Sequence, residues 1–534
     1  MPRATRSEET TIISQNARGE ITVNKSAQTD VRNAVISFLD MSSTATGRQT
    51  FYNSKEDQLA AVAGIHEGVF MANRGLYAAM LTLPGLTDFN VQHGIMRLLQ
   101  DLNGVETSLL SPESEWAAID YVSHNLPPQR LFKMFKTLRA NKVNNKRVVK
   151  LILRSILAHK NLEFWSVKYR NLLKQSLQHA WGVSASTKLR ATLQKNRKNI
   201  EDKRWINKRI LKYTHGSTVS ERTIQECVLF ILGSEHCWTS AGWNSPLING
   251  FFDARQSLQM GKDLPPEVLE GIRSIYHPHI SHAEVLELTK NRGMTEGQKA
   301  AKQRSAQKQG VKMEFNPNAL DLVKLYIYAL EMGGSQEILQ AAQDKAKRAA
   351  AVMPVTYNKI GIVLDASMSM FGSKDQKRRP MAIGLAMRDV LAASALDDCF
   401  VSVAGGKPAR HGLVHPEGDT SLSESLLETL KQEPDVVYMI TDGYENAPDG
   451  RLNEVVTQLR RIGIDTPIYQ VTPVMAAEAV KNQGAIRRIS KDISPLPVSQ
   501  PEAIGISFIR AAIDADLENG IKGLLNITLP QLEG

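Results

Sequence analysis

The hydrophobic pattern of this chain changes near residue 353, and that change constrains the fold more than any other feature. From residue 31 to residue 352, apolar residues recur at three- and four-residue steps, the spacing of amphipathic helices. From residue 353 to residue 534, short apolar strands alternate with helices. We therefore predict a polar leader over residues 1–30, a helical domain over 31–352 and an α/β domain over 353–534. Within the leader, Ile21 and Val23 flank Thr22 and favour a short strand.

The helical domain has frequent helix-start signals and short linkers. Ser111, Pro112 and Glu113, for example, supply a cap, a first-turn proline and a first-turn acid. Many helices of this length joined by short linkers are typical of an α-solenoid of stacked helical hairpins. No fixed-period repeat is recognisable, so we expect diverged repeats. Residues 291–316, which are polar and basic, fit either a mobile loop or an extended helix.

The α/β domain begins with the apolar strand 359–364 and a helix over 381–396. Later elements repeat this order, with strands over 399–404, 435–440 and 466–471 and helices over 420–431, 451–462 and about 500–516. Such alternation predicts a doubly wound parallel sheet, in which functional residues lie at the carboxyl ends of the strands.

One group of oxygen ligands follows that rule. Asp365, Ser367 and Ser369 form a DxSxS motif at the end of the first strand, Thr420 precedes a helix, and Asp442 ends another strand. Carboxylate and hydroxyl oxygens suit Mg²⁺ or another hard divalent cation. The alternative is that the two serines only cap a helix.

The charge of the chain is concentrated in one block. The whole chain carries a net charge of +10, yet residues 130–214 hold 23 Lys and Arg against 3 Asp and Glu, while residues 351–534 hold 18 against 23. Such a block favours a polyanion, nucleic acid before an anionic membrane surface. The alternative is a solvated face, although such faces usually mix both signs.

Two predicted helices carry much of this block, 145–159 and 163–180. In the first, Val148, Ile152 and Ile156 belong to a core stripe and the cations lie on the opposite side. The candidate RNA-binding cations of the two helices and their flanks are Lys142, Lys146, Arg147, Lys150, Arg154, Lys168, Arg170 and Lys174. Three aromatic residues lie among these cations: Tyr169, Trp205 and Tyr213. We expect them either to stack on RNA bases or to belong to the hydrophobic core.

Several segments resemble one known family. Residues 205–215 (WINKRILKYTH) look like the W-x-x-K-x-L-L-R-x-S-H signature of the TROVE module of the Ro autoantigen family. Phe38-Leu39 with Thr50-Phe51-Tyr52 resembles the N-terminal segment of that module, without its glycine pair. The Asp365, Ser367, Ser369, Thr420 and Asp442 set resembles the metal-ion-dependent adhesion site of a von Willebrand factor A domain, which follows the module in that family.

The resemblance implies a monomeric, closed ring of HEAT-like helical repeats joined to an A domain that binds Mg²⁺. Family members bind small noncoding Y RNAs on the outer basic surface and take single-stranded ends of misfolded RNA into the ring, in RNA quality control. An exoribonuclease is a further expected partner. The resemblance implies that Lys208, Lys212 and His215 contact RNA. It implies the same for Lys195, Arg197 and Lys198, which occupy the matching basic stretch although their spacing to Trp205 differs from that of the family. A local alternative is that His215 only ends a helix beside Gly216.

The remaining features define the class of protein. Three cysteines form no CxxC pair, and neither a signal peptide nor an apolar run of membrane-spanning length is present, so we expect a cytoplasmic protein without membrane contact. No general acid and base pair stands out, so we do not expect an enzyme. One alternative is a protein-interaction adaptor for an ATPase or chaperone; another is a phosphoesterase that uses Asp365 and Asp442.

Overall fold

A computed structural model gives the fold. It describes residues 12–16, 18–42, 55–100, 109–196, 206, 208–233, 243–351, 353, 356–372, 377–419, 421–445, 448–473, 489–498 and 501–532. In these residues no helix is long and apolar enough to cross a membrane.

The helices, in chain order, are α1 (Gln28–Ser42), α2 (Lys55–Ala72), α3 (Arg74–Met80), α4 (Asp88–Gln100), α5 (Pro112–Asn125), α6 (Pro128–Ala140), α7 (Lys146–Leu157), α8 (Leu162–Lys168), α9 (Arg170–Trp181), α10 (Val183–Asn196), α11 (Glu221–Leu232), α12 (Pro246–Asp253), α13 (Pro266–Tyr276), α14 (His282–Thr289), α15 (Glu296–Lys308), α16 (Leu322–Met332), α17 (Gln336–Ala350), α18 (Arg379–Ser394), α19 (Leu422–Leu430), α20 (Arg451–Arg461), α21 (Ile504–Ala515) and α22 (Leu517–Thr528). The strands are β1 (Ile13–Gln15), β2 (Ile21–Val23), β3 (Tyr357–Asp365), β4 (Ala395–Ala404), β5 (Lys407–Pro408), β6 (Val414–His415), β7 (Val436–Ile440), β8 (Ile468–Thr472) and β9 (Ser494–Pro497).

The chain divides into two compact units. We call the first the A unit; it contains residues 1–98, 102–122 and 320–534. We call the second the helical unit; it contains residues 99–101 and 123–319. This division does not coincide with the predicted boundary between residues 352 and 353, which stays a prediction. The coarse fold class is confirmed: a mostly helical region precedes an α/β region with a parallel sheet.

The helical unit is built from amphipathic helices such as α7. Asn145 precedes this helix, and its side chain accepts hydrogen bonds from the backbone amides of Arg147 and Val148. The predicted core stripe of the helix is buried, including Val148 and Ile152, and its cations remain on the other side. The hydrophobic effect therefore fixes which face of α7 is presented to solvent.

Two other segments of the helical unit bear on the sequence expectations. The single helix predicted over 163–180 is two helices, α8 and α9, which meet at Tyr169. Residues 291–316, which in sequence fit either a mobile loop or an extended helix, contain the helix α15. That helix begins with a capping box in which Thr295 and Gln298 satisfy each other's backbone amides.

The A unit joins the two ends of the chain. The strand predicted at Ile21 and Val23 is present as β2, paired antiparallel with β1. The backbone amide of Val23 donates to Oε1 of Glu518 at 2.9 Å, and Nε of Arg510 lies 2.6 Å from Oδ1 of the buried Asp40. The N-terminal hairpin and α1 thus pack with the C-terminal helices α21 and α22.

The core of the A unit is a five-stranded parallel sheet in the order β4-β3-β7-β8-β9. Its first strand in the sequence, β3, lies between β4 and β7, so the strand order reverses beside β3. Gly361 in β3 allows close packing, because a Cβ there would lie 2.4 Å from the Thr429 side chain of α19. Ligands of open α/β sheets bind at the carboxyl ends of the strands where the order reverses.

Candidate nucleic-acid interface and metal centre

A cleft in the helical unit collects part of the predicted basic set. It has a volume of about 780 Å³. One wall is α7, where Lys146, Lys150 and Arg154 lie four residues apart and therefore form a row along one face. Such residues are separated by about 6 Å along the axis of an α-helix. The row presents three exposed cations to the cleft.

The facing wall comes from the segment that resembles the Ro signature. Lys212 and Tyr213 belong to a 3-10 helix (Leu211–Tyr213), and His215 follows it. The Nζ of Lys212 lies 4.7 Å from the ring centroid of Tyr213, which is a cation–π distance. Gly216 adopts a left-handed conformation with φ of 81°. This conformation agrees with the alternative that His215 only ends a helix. His215 itself is exposed and lines the cleft.

Hydrogen bonds fix the rim of the cleft near the start of α7. The amide Nδ2 of Asn144 donates to the carbonyl oxygen of His179 at 3.1 Å, and Nε2 of His179 lies 2.8 Å from the carbonyl oxygen of Val143. Nδ2 of Asn145 donates to the carbonyl oxygen of Leu99 at 2.8 Å. These bonds tie the start of α7 to α9 and to the end of α4, so the backbone that carries the row of cations has a defined position.

Among the described residues, the charged side chains that line the cleft are basic. The described residues that line it are Asn144, Asn145, Lys146, Val149, Lys150, Arg154, Ala180, Lys212, Tyr213 and His215, and none of them carries a carboxylate. Five of the predicted RNA-binding residues therefore meet here. Cations gathered without acids favour a polyanionic ligand.

Other predicted residues have contacts inside the protein. Nζ of Lys168 lies 3.3 Å from a carboxylate oxygen of Glu267. Arg170 donates from Nε to the carbonyl oxygen of Phe230 at 3.0 Å and from its terminal nitrogen to that of Gly233 at 3.1 Å. Lys174 reaches the Gly233 carbonyl at 3.4 Å. These contacts give the three cations structural roles, and their part in RNA binding stays a prediction.

The rest of the predicted set lies outside the cleft lining or outside the described residues. Lys142 and Lys208 are exposed and Arg147 is half-buried. Residues Arg197 and Lys198 and the side chain of Lys195 are outside the part of the chain that the structure describes.

The predicted metal ligands lie at the reversal of strand order in the A unit. Asp365 is the last residue of β3, and Asp442 follows the end of the neighbouring strand β7. The backbone amide of Ser367 donates to Oδ1 of Asp365 at 2.9 Å, and the hydroxyls of Ser367 and Ser369 are 3.0 Å apart. The DxSxS loop thus turns its hydroxyls beside the carboxylate instead of extending away from the sheet.

The two carboxylates of this site disfavour each other's charge. Asp365 is fully buried and Asp442 nearly so. Burial, and then the charge of Asp442, raise the pKa of Asp365 to about 6. A divalent cation would relieve that repulsion, so the donor set fits a hard cation such as Mg²⁺. Among the described residues no three His, Cys, Asp or Glu side chains could together hold a metal, so hydroxyls and water would complete the coordination.

The third predicted hydroxyl, Thr420, lies outside the described residues. The chain just before it follows the DxSxS loop: the amide of Glu417 donates to the carbonyl oxygen of Ala366 at 3.0 Å, and the amide of Met368 donates to that of Gly418 at 3.1 Å. Gly406 permits this approach, because a Cβ there would lie 2.6 Å from that of Ala366.

Sequence reasoning missed two contributors. Thr441 donates its hydroxyl hydrogen to Oδ2 of Asp365 at 2.7 Å, and its position beside Asp442 is the signal that could have identified it. Asn144, which fixes the cleft rim, precedes the helix cap Asn145 and had no distinguishing pattern.

Comparisons with known proteins give a structural likeness but no match in sequence. No protein-family model matches the chain, and no curated protein matches it. Among solved structures the chain is similar to the crystal structure of the Deinococcus radiodurans Ro (RSR) protein, at 13% identity and a TM-score of 0.41, covering 90% of this chain and 99% of that chain.

Proposed function

We propose that this protein binds RNA without cleaving it, and that the cleft between α7 and residues 212–215 is its main RNA contact. The observation that carries this proposal is the convergence of Lys146, Lys150 and Arg154 with Lys212 and His215 around one cleft. The resemblance of residues 205–215 to the Ro signature favours RNA over DNA. The Ro-like ring of HEAT-like repeats and a role in RNA quality control are part of the same proposal.

The row on α7 suits one strand of a polynucleotide. Cations about 6 Å apart along a helix axis can each meet one phosphate of a strand that follows the helix. Lys212 and His215 would contact the same strand from the facing wall, and Tyr213 offers a ring beside them. Phosphate contacts of this kind position an RNA, and its shape and unpaired bases then determine which RNA is bound. We expect a small Y-like noncoding RNA, or a misfolded RNA with a single-stranded end.

In the same proposal, the A unit binds Mg²⁺ through Asp365, Ser367, Ser369, Thr420 and Asp442. The bound ion would present an open coordination position to an acidic side chain of a partner protein, for which an exoribonuclease is our candidate. Asp365 and Asp442 hold the ion in this scheme, and Thr441 holds Asp365 in place.

Fluorescence anisotropy with three labelled probes tests the proposal: a hairpin RNA with a 3′ single-stranded tail, the same hairpin without the tail, and the hairpin as DNA. At 50–100 mM salt, about the range in which phosphate contacts are strong, we expect RNA binding, and we expect Lys212→Ala with His215→Ala to weaken it at least tenfold. Lack of RNA binding by the unmodified protein would favour a protein-interaction adaptor. Mg²⁺-dependent RNA cleavage abolished by Asp365→Ala would favour a phosphoesterase.

A further inference from the structure

The basic side chain of Arg255, in the helical unit, contacts aromatic rings instead of carboxylates. Arg255 follows α12, and its guanidinium carbon lies 4.9 Å from the ring centroid of Phe251 and 5.3 Å from those of Phe252 and Tyr276. Its Nε is buried and has no hydrogen-bond acceptor within the described residues. Cation–π attraction holds the guanidinium in place, while its buried Nε has no acceptor among the described residues.

The acidic residues closest in the sequence do not neutralise this charge. Asp253 forms no ion pair with Arg255 among the described residues, and Asp263 pairs with a different arginine at 3.2 Å. Glu267 pairs with Lys168 at 3.3 Å, and Glu270 pairs with an arginine of its own helix at 2.7 Å. The positive charge of Arg255 is therefore uncompensated by a carboxylate in the part of the chain that the structure describes.

The outer side of the aromatic group is open to solvent, whereas its inner side belongs to the core. Tyr276 at the end of α13 is 44% exposed, and the adjacent Ile275 is 73% exposed. On the inner side, Phe252 stacks on the buried Trp243 with 6.2 Å between ring centroids. The exposed part of the Tyr276 ring is thus accessible to a ligand, while the Phe252 ring is fixed by its packing on Trp243.

We infer that Arg255 and Tyr276 form a separate site for one unpaired nucleotide of a single-stranded RNA. The base would stack on the exposed ring of Tyr276, and a phosphate or base oxygen would accept from the guanidinium of Arg255. The ligand must combine a flat face with a strong acceptor, and the same unit carries the basic block of residues 130–214. The inference rests on the proposed RNA binding and adds to it a place where unpaired bases are distinguished from duplex.

The test compares two RNA probes on the full chain: a fluorescein-labelled unstructured 12-mer of uridines and a blunt hairpin. We expect Tyr276→Ala to weaken binding of the 12-mer by about fivefold to about a hundredfold, the usual effect of losing one base–aromatic stack, and to change hairpin binding less than twofold. Tyr276→Phe keeps the ring and should bind like the unmodified protein. Tyr121→Ala removes an exposed tyrosine of the A unit and serves as the matched control.

A second measurement does not depend on a variant that folds. A 12-mer containing 4-thiouridine, crosslinked to the unmodified protein, should leave an adduct on the peptide that contains Tyr276. The inference is overturned if adducts occur only elsewhere, if 12-mer binding is insensitive to Tyr276→Ala in a folded variant, or if a labelled acidic peptide binds through Arg255 and RNA does not. Failure of both RNA probes to bind the unmodified protein would instead overturn the proposed function.

Discussion

Thr441 donates its hydroxyl hydrogen to the carboxylate of Asp365 across two neighbouring strand ends, at 2.7 Å. The other carboxylate oxygen of Asp365 accepts a hydrogen bond from the backbone amide of Ser367. A residue that only orients a metal ligand still affects affinity, because the ligand must otherwise be ordered when the metal binds.

We expect Thr441→Val to weaken Mg²⁺ binding by about tenfold to about a hundredfold, as loss of such an orienting contact typically does. Isothermal titration calorimetry on the full chain measures the effect. Thr457→Val is the matched control, because within the described residues the Thr457 hydroxyl bonds only to a carbonyl oxygen of its own helix, at 2.8 Å. Equal affinities for Thr441→Val and the unmodified protein would show that Thr441 does not support a metal ligand.

A buried histidine in the A unit predicts a loss of stability in acid. Nδ1 of His66 lies 2.6 Å from the hydroxyl of Tyr77, and Nε2 lies 3.1 Å from Oδ1 of Asn90. Because Nδ2 of Asn90 donates to the carbonyl oxygen of Ser42, its Oδ1 is the acceptor, and the neutral His66 carries its hydrogen on Nε2. Burial, and then the neighbouring His93, lower the pKa of His66 to about 3.

The direction of the effect follows from this pKa. Between about pH 6.5 and about pH 3 the unfolded chain binds a proton at His66 that the folded chain does not, so stability falls as the pH falls through this window. We expect a loss of up to about 1.4 kcal/mol per pH unit from this group. Urea unfolding at pH 7 and pH 5 should show a smaller acid loss for His66→Gln than for the unmodified protein. The same loss in both would contradict the assignment.

A buried ion pair in the A unit should be sensitive to the loss of one charge. Nε of Arg74 lies 2.7 Å from Oε2 of Glu115, its terminal nitrogen lies 2.9 Å from Oε1, and both side chains are almost fully buried. Glu115→Gln leaves a buried guanidinium without its counter-charge, so we expect a loss of about 3–5 kcal/mol of unfolding free energy.

Urea unfolding of the full chain measures this loss. Glu314→Gln is the control, because its pair with Lys312, at 2.6 Å, is highly exposed and should leave the unfolding free energy unchanged. Similar losses in both variants would mean that burial does not determine the strength of these pairs.

The parts of the fold that could be predicted depend on local pattern. The strands β3 and β7 are apolar and β4 partly so, and all three were predictable, whereas β9 reads Ser-Pro-Leu-Pro and has no apolar run. The contact of Thr441 with Asp365 needs β3 and β7 to be neighbours, which residue spacing alone does not specify. Arg170 and Arg154 are likewise equivalent in the sequence pattern, yet the structure places Arg154 on the cleft and bonds Arg170 to the carbonyl oxygens of Phe230 and Gly233. Charge patterning therefore identified the basic surface but could not separate its cleft from its internal contacts.

The salt dependence of RNA binding tests the central claim most directly. Replacing Lys146, Lys150 and Arg154 together by Ser removes three phosphate contacts, and we expect the slope of log affinity against log salt to fall in magnitude by about 2 to 3. The matched control replaces Lys302, Arg304 and Lys308 of α15, which form no ion pair among the described residues, and should leave the slope unchanged. Equal changes in both triple variants, or an unchanged slope in the α7 variant, would contradict RNA binding in the cleft.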